Sequence, residues 1–377
     1  FITAGSCGPC RFGMYEMEYR NAVQEAGFEG FKIIAFQQND ALVKDLHQMG
    51  FSMKRSAFKV LVQALMLGDM INNIYYRTKP YESCPGNIDQ WKQKSLELLS
   101  GALRGKKSLV KTLVKVKREL SRIKLNYFQP KPVVKIIGEF FSQIQEGDAN
   151  YRLPHWLIEQ GAEPVVEPVS TWLDYIIRKR VEYYTDRAFR HPFKSVKMVV
   201  ILSLLKAYVH FLYRAYWILL GRKPDLLVKQ KKLEAYASAY YNPRIVGGEG
   251  HMEVSKHIYT FKSKKAHMVI SVKPFGCMSS TQSDGVQTKV SQDIKDSLFV
   301  SVDTSGDAEV NFKSRVLMKL YEAKNRAVDE YENTKKKLDL NDRKLEQAYS
   351  KNPRTSRACI LLPKKNICTA ARVLHLV

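Results

Sequence analysis

Short apolar runs, each broken by a turn and followed by a helical repeat, constrain this chain more than any other feature. Residues 31–36, 133–139, 163–168, 268–272 and 298–303 are too short for core helices and carry Val, Ile and Phe. Longer stretches at helical period separate them. In residues 11–27, Phe12, Tyr15, Tyr19, Val23 and Ala26 fall near one face and Gly27 stands as C-cap. Strand, turn, helix, strand is the grammar of a parallel sheet covered by helices, so the expected fold class is α/β, with parallel sheets and helical insertions. Such sheets bind ligands in the loops after their strands, and Glu139 and Asp148 sit in one of these loops.

Pro130-Lys131-Pro132 marks a boundary, and three units are expected. Residues 1–130 hold a Cys-x2-Cys turn and a helical insertion, with one helix over 52–76 and two within 86–125. Residues 131–245 form a second α/β unit with a long apolar helix over 195–220. Residues 246–377 form a third, with a glycine-rich turn, a Cys277 loop and a charged helical stretch over 309–347. Residues 222–241 read as helical, with Pro224 tolerable near the start. The 195–220 stretch is long enough to span a bilayer. Lys206, His210 and Arg214 interrupt it on one stripe, and charge is costly in lipid, so a core or interface helix is expected and no membrane span. The chain opens at Phe1 within a strand-like run and reads as a fragment, truncated at its N-terminus.

Of the 377 residues, 45% are hydrophobic and 26% charged, which places the chain among soluble globular proteins. Six cysteines are too few and too scattered for a disulfide scaffold, and no secretory signal is visible, so a cytoplasmic setting is expected. The net charge of +24 admits nucleic acid, anionic membrane or phosphorylated ligands as partners. The excess is spread over the chain, and neither zinc-finger spacing nor an RNA-recognition signature is present. Nucleic acid is therefore not expected as a partner.

Cys7 and Cys10 lie two residues apart in Gly5-Ser6-Cys7-Gly8-Pro9-Cys10-Arg11-Phe12-Gly13, at an expected strand-to-helix turn. Cysteines at that spacing can share a metal or cluster, form a redox disulfide, or be inert buried thiols. Cys-Gly-Pro-Cys is also the thioredoxin sequence, but Ser6 stands where Trp is usual and no matching proline loop can be assigned. Zinc would need a second close pair, and Cys277 has none. Cys277 sits at a strand exit as the first pair does, and Cys84 could add a fourth ligand. Cysteines at the strand exits of separate units suit an iron–sulfur cluster held between them. Cys359 and Cys368, in a poorly patterned tail, read as bystanders. Gly247-Gly248-Glu249-Gly250-His251 could cradle a phosphate through Gly248 and Gly250, or its glycines could serve tight helix–sheet packing. It is not a Walker A loop. Glu249 and His251 are the candidate acid–base pair.

Several blocks together resemble a known family. They are Gly8 to Tyr15; Gly138-Glu139-Phe140-Phe141 with Glu146-Gly147-Asp148 and Asn150-Tyr151; and Glu167-Pro168-Val169-Ser170-Thr171-Trp172. Gly248-Glu249-Gly250-His251 and Pro274-Phe275-Gly276-Cys277-Met278 with Asp284-Gly285-Val286 complete the set. In this order they resemble the acyl-CoA dehydratase activase-related proteins, relatives of the 2-hydroxyacyl-CoA dehydratase iron–sulfur subunits. The resemblance implies several Rossmann-like units around an iron–sulfur cluster, 4Fe–4S or larger, with Cys7, Cys10 and Cys277 as ligands and Glu249 and His251 nearby. It further implies one-electron transfer from an ATP-hydrolysing activator, a separate protein or a fused domain, and a dehydratase- or reductase-like role on an acyl-CoA or other small substrate. A homo- or heterodimer fits that reading. A cluster-less scaffold or interaction protein with the same fold is the alternative.

Overall fold

A computed structural model describes residues 1–4, 14–36, 55–245, 248–306, 308–351, 353–363 and 365–377. Strands β1 (Ile2–Ala4) and β2 (Ile34–Phe36) pair in parallel, joined through α1 (Tyr15–Glu25). Gly27, at φ 78°, ends that helix in the left-handed conformation expected of a C-cap. A helical layer follows, made of α2 (Arg55–Thr78), α3 (Asn87–Leu103) and α4 (Leu109–Leu120). Met66, Met70, Ile74, Trp91, Leu113 and Val116 interlock at its centre.

The main sheet contains β3 (Val133–Gly138), β4 (Glu163–Val166), β5 (Met268–Pro274) and β6 (Leu298–Thr304), ordered β4-β3-β5-β6 and parallel throughout. Ile136 lies opposite both Val166 and Ile270, and Val272 opposite Val302. The α/β class expected from the apolar runs is thus present, and their lack of polar alternation has its reason: a parallel sheet is covered on both faces. Strands from 131–245 and from 246–377 meet in this one sheet.

Between β3 and β4 run α5 (Phe140–Ile144) and α6 (Leu153–Glu159). From β4 to β5 the chain forms α7 (Val169–Asp186), α8 (Pro192–Leu219), α9 (Gln230–Ala237) and α10 (Gly250–Lys262). Helix α11 (Met278–Asp293) joins β5 to β6, and α12 (Glu309–Lys337), α13 (Asp342–Lys351) and α14 (Thr369–Leu374) follow. Leu153 and Leu157 of α6 and Phe312, Val316 and Leu320 of α12 cover one sheet face over Val134, Ile136, Ile270 and Val272. Helix α10 packs on β3 and β5 from the other side.

Two local expectations change. Residues 222–229 are not helical: Arg222 takes φ 59°, and Pro224 turns the chain so that its carbonyl accepts from Trp217 Nε1 at 2.8 Å. The charged C-terminal stretch breaks at Asp339, φ 49°, separating α12 from α13. Helix α8 is only partly a core helix. Val209, Tyr213 and Tyr216 pack into the helical layer, and Lys206 and His210 face Asp174 of α7 at 3.4 and 3.1 Å. Phe193, Val200, Leu204 and Phe211 stand exposed. Among the described residues α8 alone is long and apolar enough to cross a membrane, with 11% of its most apolar window buried.

The C-terminal segment is a structural member. Ala370, Ala371 and Leu374 are buried beside Ala327 and Tyr331 of α12. Glu330 accepts the amides of Ile367 and Cys368 at 2.8 and 2.7 Å and contacts His267 Nε2 at 3.0 Å. Thr369 Oγ1 donates at 2.6 Å to Glu163, a wholly buried carboxylate at the start of β4. Glu163 also takes Arg77 Nε and the Tyr81 hydroxyl, each at 2.9 Å. One carboxylate therefore ties the helical layer, the sheet edge and the C-terminal segment. Removing it leaves the partly buried Arg77 with part of its neutralisation and two hydroxyls without an acceptor. Glu163→Ala is expected to destabilise the protein by about 3–5 kcal/mol in urea denaturation, and a wild-type midpoint would show that the three-way tie carries no stability.

Candidate functional site

The chain leaves β3 towards β4 on one side and pairs β3 with β5 on the other, so the connections diverge between β3 and β5. In open parallel sheets the carboxyl ends at such a switch point form the ligand crevice. Here that edge carries Gly138 closing β3 and Glu139 beyond it, Phe275 to Cys277 after β5, and Thr304 closing β6 with Ser305 beyond it. Gly138 has φ 129°, and a Cβ there would lie 2.0 Å from the Val272 carbonyl oxygen, so only glycine fits. Glu139 can then donate its amide to that same oxygen at 2.9 Å. Its carboxylate caps α5 by accepting from the Ser142 amide at 2.9 Å.

Blocks far apart in sequence close over this edge. The Phe140 amide donates to Glu249 Oε1 at 3.0 Å, and the Phe140 ring stacks on Trp172, centroids 4.3 Å apart. The Tyr175 hydroxyl donates to the Gly248 carbonyl at 2.8 Å, and its ring lies 5.4 Å from that of His251. A Cβ on Gly248 would stand 2.5 Å from Ser279 Cβ, and one on Gly250 2.8 Å from the Tyr241 hydroxyl. Close approach of the α10 and α11 N-termini thus accounts for both glycines through packing. Cys277 occupies the N-cap position of α11, partly exposed and free, with its sulfur 3.6 Å from Ser279 Oγ.

An open groove of about 1000 Å³ runs along the ends of β3, β5 and β6, lined among others by Glu146, Asp148, Tyr151, His155, Pro274 and Ser305. Tyr151 and Arg152 hold φ of 54° and 52°, the left-handed region that non-glycine residues rarely adopt. Asn150 fixes the loop by donating to the carbonyls of Ser142 and Gln145, both at 2.8 Å.

Charge is buried behind the crevice. Helix α10 has thirteen residues, and His251, Glu253, Lys256 and His257 are among its buried positions. Burial, reinforced by Glu139, pushes the Glu249 carboxyl up to about 7. Glu253 is also raised by burial, and the hydroxyls of Ser280 and Ser283 donate to it at 2.7 and 2.5 Å. Burial and then Lys179 push His251 down to about 4, and its Nε2 has no hydrogen-bond partner among the described residues. At neutral pH this imidazole is uncharged. Lys273, buried at the end of β5, donates to Ser301 Oγ at 2.5 Å and pairs with Asp284. Burial raises the Glu167 carboxyl, but Lys135 and Lys256 outweigh it and hold it at about 2.

Of the expected site residues, the structure brings Gly248, Glu249, Gly250, His251 and Cys277 together. Glu249 borders the crevice, while His251 lies beneath it at 2% exposure. Cys7 and Cys10 lie outside the described residues. Cys84 is exposed in the α2–α3 loop, Cys359 donates to the Lys117 carbonyl, and burial pushes the Cys368 thiol up to about 11. Among the described residues, no group of three or more His, Cys, Asp and Glu side chains is gathered as a metal site. Sequence reasoning missed Tyr175, Glu253 and Lys273. Lys273 had a signal, as a charge closing an apolar strand run just before Pro274. No family model, curated protein or solved structure matches the chain.

The raised Glu249 carboxyl sets a pH dependence. Between pH 4.5 and about 7 the folded state holds a proton there that the unfolded chain has released, so stability falls as pH rises through this window. Glu249→Gln keeps the acceptor for Phe140 and removes the titration. The variant is expected to lose less stability than wild type between pH 4.5 and 7.5, by about 2 kcal/mol in paired denaturation curves. Parallel curves would show that Glu249 titrates normally.

Proposed function

We propose that this chain is an iron–sulfur electron-transfer protein of the 2-hydroxyacyl-CoA dehydratase and activase type. One observation carries the reading: the sequence blocks that resemble that family, 138–151, 167–172, 248–251 and 274–278, converge on the switch-point crevice around a free, partly exposed cysteine. Cys277 suits a thiolate ligand, since it has no disulfide partner among the described residues and stands at the electropositive start of a sixteen-residue helix. Cys7 and Cys10 are the further ligands that the resemblance implies. A cluster held there supplies low-potential one-electron transfer.

The chain's own residues would bind, shield and tune. Phe140 on Trp172 and the Tyr175–His251 pair wall the crevice from water. Glu249, poised near neutrality beside Glu139, can hold or release a proton as charge changes at Cys277. The proposed partner is an ATP-hydrolysing activator, separate or fused, in a homo- or heterodimeric cytoplasmic assembly. Neither nucleic acid nor a membrane span belongs to the reading. A small substrate, an acyl-CoA thioester by the resemblance, would enter by the groove at Tyr151 and Ser305.

Anaerobic purification followed by iron, acid-labile sulfide and visible absorption measurements tests this. Wild type is expected to be brown and to contain iron and sulfide in equal amounts, and Cys277→Ser to lose most of both. A protein that stays colourless after anaerobic reconstitution with iron and sulfide would sink the cluster reading and leave an interaction protein of the same fold.

A further inference from the structure

A second cavity lies away from the crevice, between α10, the β4 edge, the helical layer and the segment before α9. It encloses about 450 Å³, and Arg222, Lys223, Lys229, Lys232, Lys256 and Arg372 are among its lining residues. Such a volume suits a small ligand. Its acidic lining is already neutralised: Lys135 pairs with Glu167, and Arg77 reaches Asp225 at 3.2 Å.

None of the six named cations has a carboxylate within ion-pair distance among the described residues. Their contacts are neutral. Lys223 Nζ meets the Tyr127 hydroxyl at 3.4 Å, Lys232 Nζ lies 5.0 Å from the Tyr259 ring centroid, and the Arg222 guanidinium 5.7 Å from that of Trp217. Arg372 Nε donates to the Asn366 carbonyl at 2.7 Å. Lys256 is 5% exposed and meets no carboxylate in ion-pair contact among the described residues; the field of Glu167 partly offsets its charge. Burial pushes Lys223 down to about 7, which marks the cost of holding that charge without an anion.

Arg222, Lys229 and Lys232 stand exposed at the mouth, and the partly buried Lys223 is held at a cost that a ligand's counter-charge would offset. A single carboxylate would leave most of them unmet. Lysine and arginine together suit phosphate oxygens, arginine as a fork and lysine as a point charge. Trp217, Tyr259 and Tyr127 give the same cavity an aromatic wall. We propose that this cavity binds a small molecule carrying a diphosphate group, with its organic body against the aromatic wall. The site is independent of the crevice and of Cys277.

Calorimetric titration of the full chain with inorganic pyrophosphate tests the assignment. Wild type is expected to bind saturably. The Lys229→Glu/Lys232→Glu variant, which changes two exposed lysines at the mouth, should weaken binding by about tenfold or more, as should Lys223→Met. Lys106→Glu/Lys107→Glu, with the same net charge change in the exposed α3–α4 loop, should bind within about twofold of wild type. Absence of saturable binding at millimolar pyrophosphate would overturn the proposal. Equal losses in the mouth and loop variants would also overturn it, because binding would then follow overall charge. If Lys223→Met fails to fold, the mouth variant, whose lysines face solvent, decides.

Discussion

The buried carboxylate of Glu163 holds the architecture together. A parallel sheet must be covered on both faces, and at its β4 edge the covering comes from two segments far apart in sequence. Arg77 and Tyr81 reach Glu163 from the helical layer and Thr369 from the C-terminal segment. Hydrophobic contact joins these layers without direction, whereas the carboxylate fixes their register, because each donor has one geometry at 2.6–2.9 Å. With that edge set, β3 and β5 present their carboxyl ends side by side, and the crevice follows from the sheet.

Helix α10 carries the second constraint. A helix on a parallel sheet ordinarily offers it aliphatic side chains, yet this one buries Glu253, Lys256 and two histidines. Each charge meets a specific answer: Ser280 and Ser283 for Glu253, and the field of Glu167 for Lys256. The histidines remain neutral because burial drives their pKa down. Such a polar interior costs stability. Natural chains tolerate that cost where function needs it, and α10 divides the crevice from the basic cavity.

Most of the sheet was legible in the sequence because parallel strands are short, apolar and bounded by turns. Residues 133–139 and 268–272 needed only that rule. The helix ending at Gly27 followed from a helical period and a C-cap. Residues 222–229 misled because local composition favoured helix, while Asn73 Oδ1 accepts the Asp225 amide at 3.1 Å and fixes an extended course. The C-terminal segment looked unpatterned because its partners, Glu163 and Glu330, lie elsewhere in the chain. At the site, Gly248, Glu249, Gly250 and Cys277 stood out individually. Their meeting with Phe140, Trp172 and Tyr175 depended on the fold, since nothing in residue 175 announces a bond to residue 248. The basic cavity was hidden for a different reason: a net charge of +24 conceals where six cations gather.

The tie at Glu163 also sets an order of events during synthesis. Arg77 and Tyr81 precede Glu163 in the chain and can meet it as soon as β4 leaves the ribosome, but Thr369 follows 206 residues later. At ordinary elongation rates of about 5–20 residues per second, that interval is about 10–40 s. For that time the β4 edge has its first two donors and lacks the third. A nascent chain must therefore keep this edge from pairing with a neighbour, so the vulnerable species is the half-made protein.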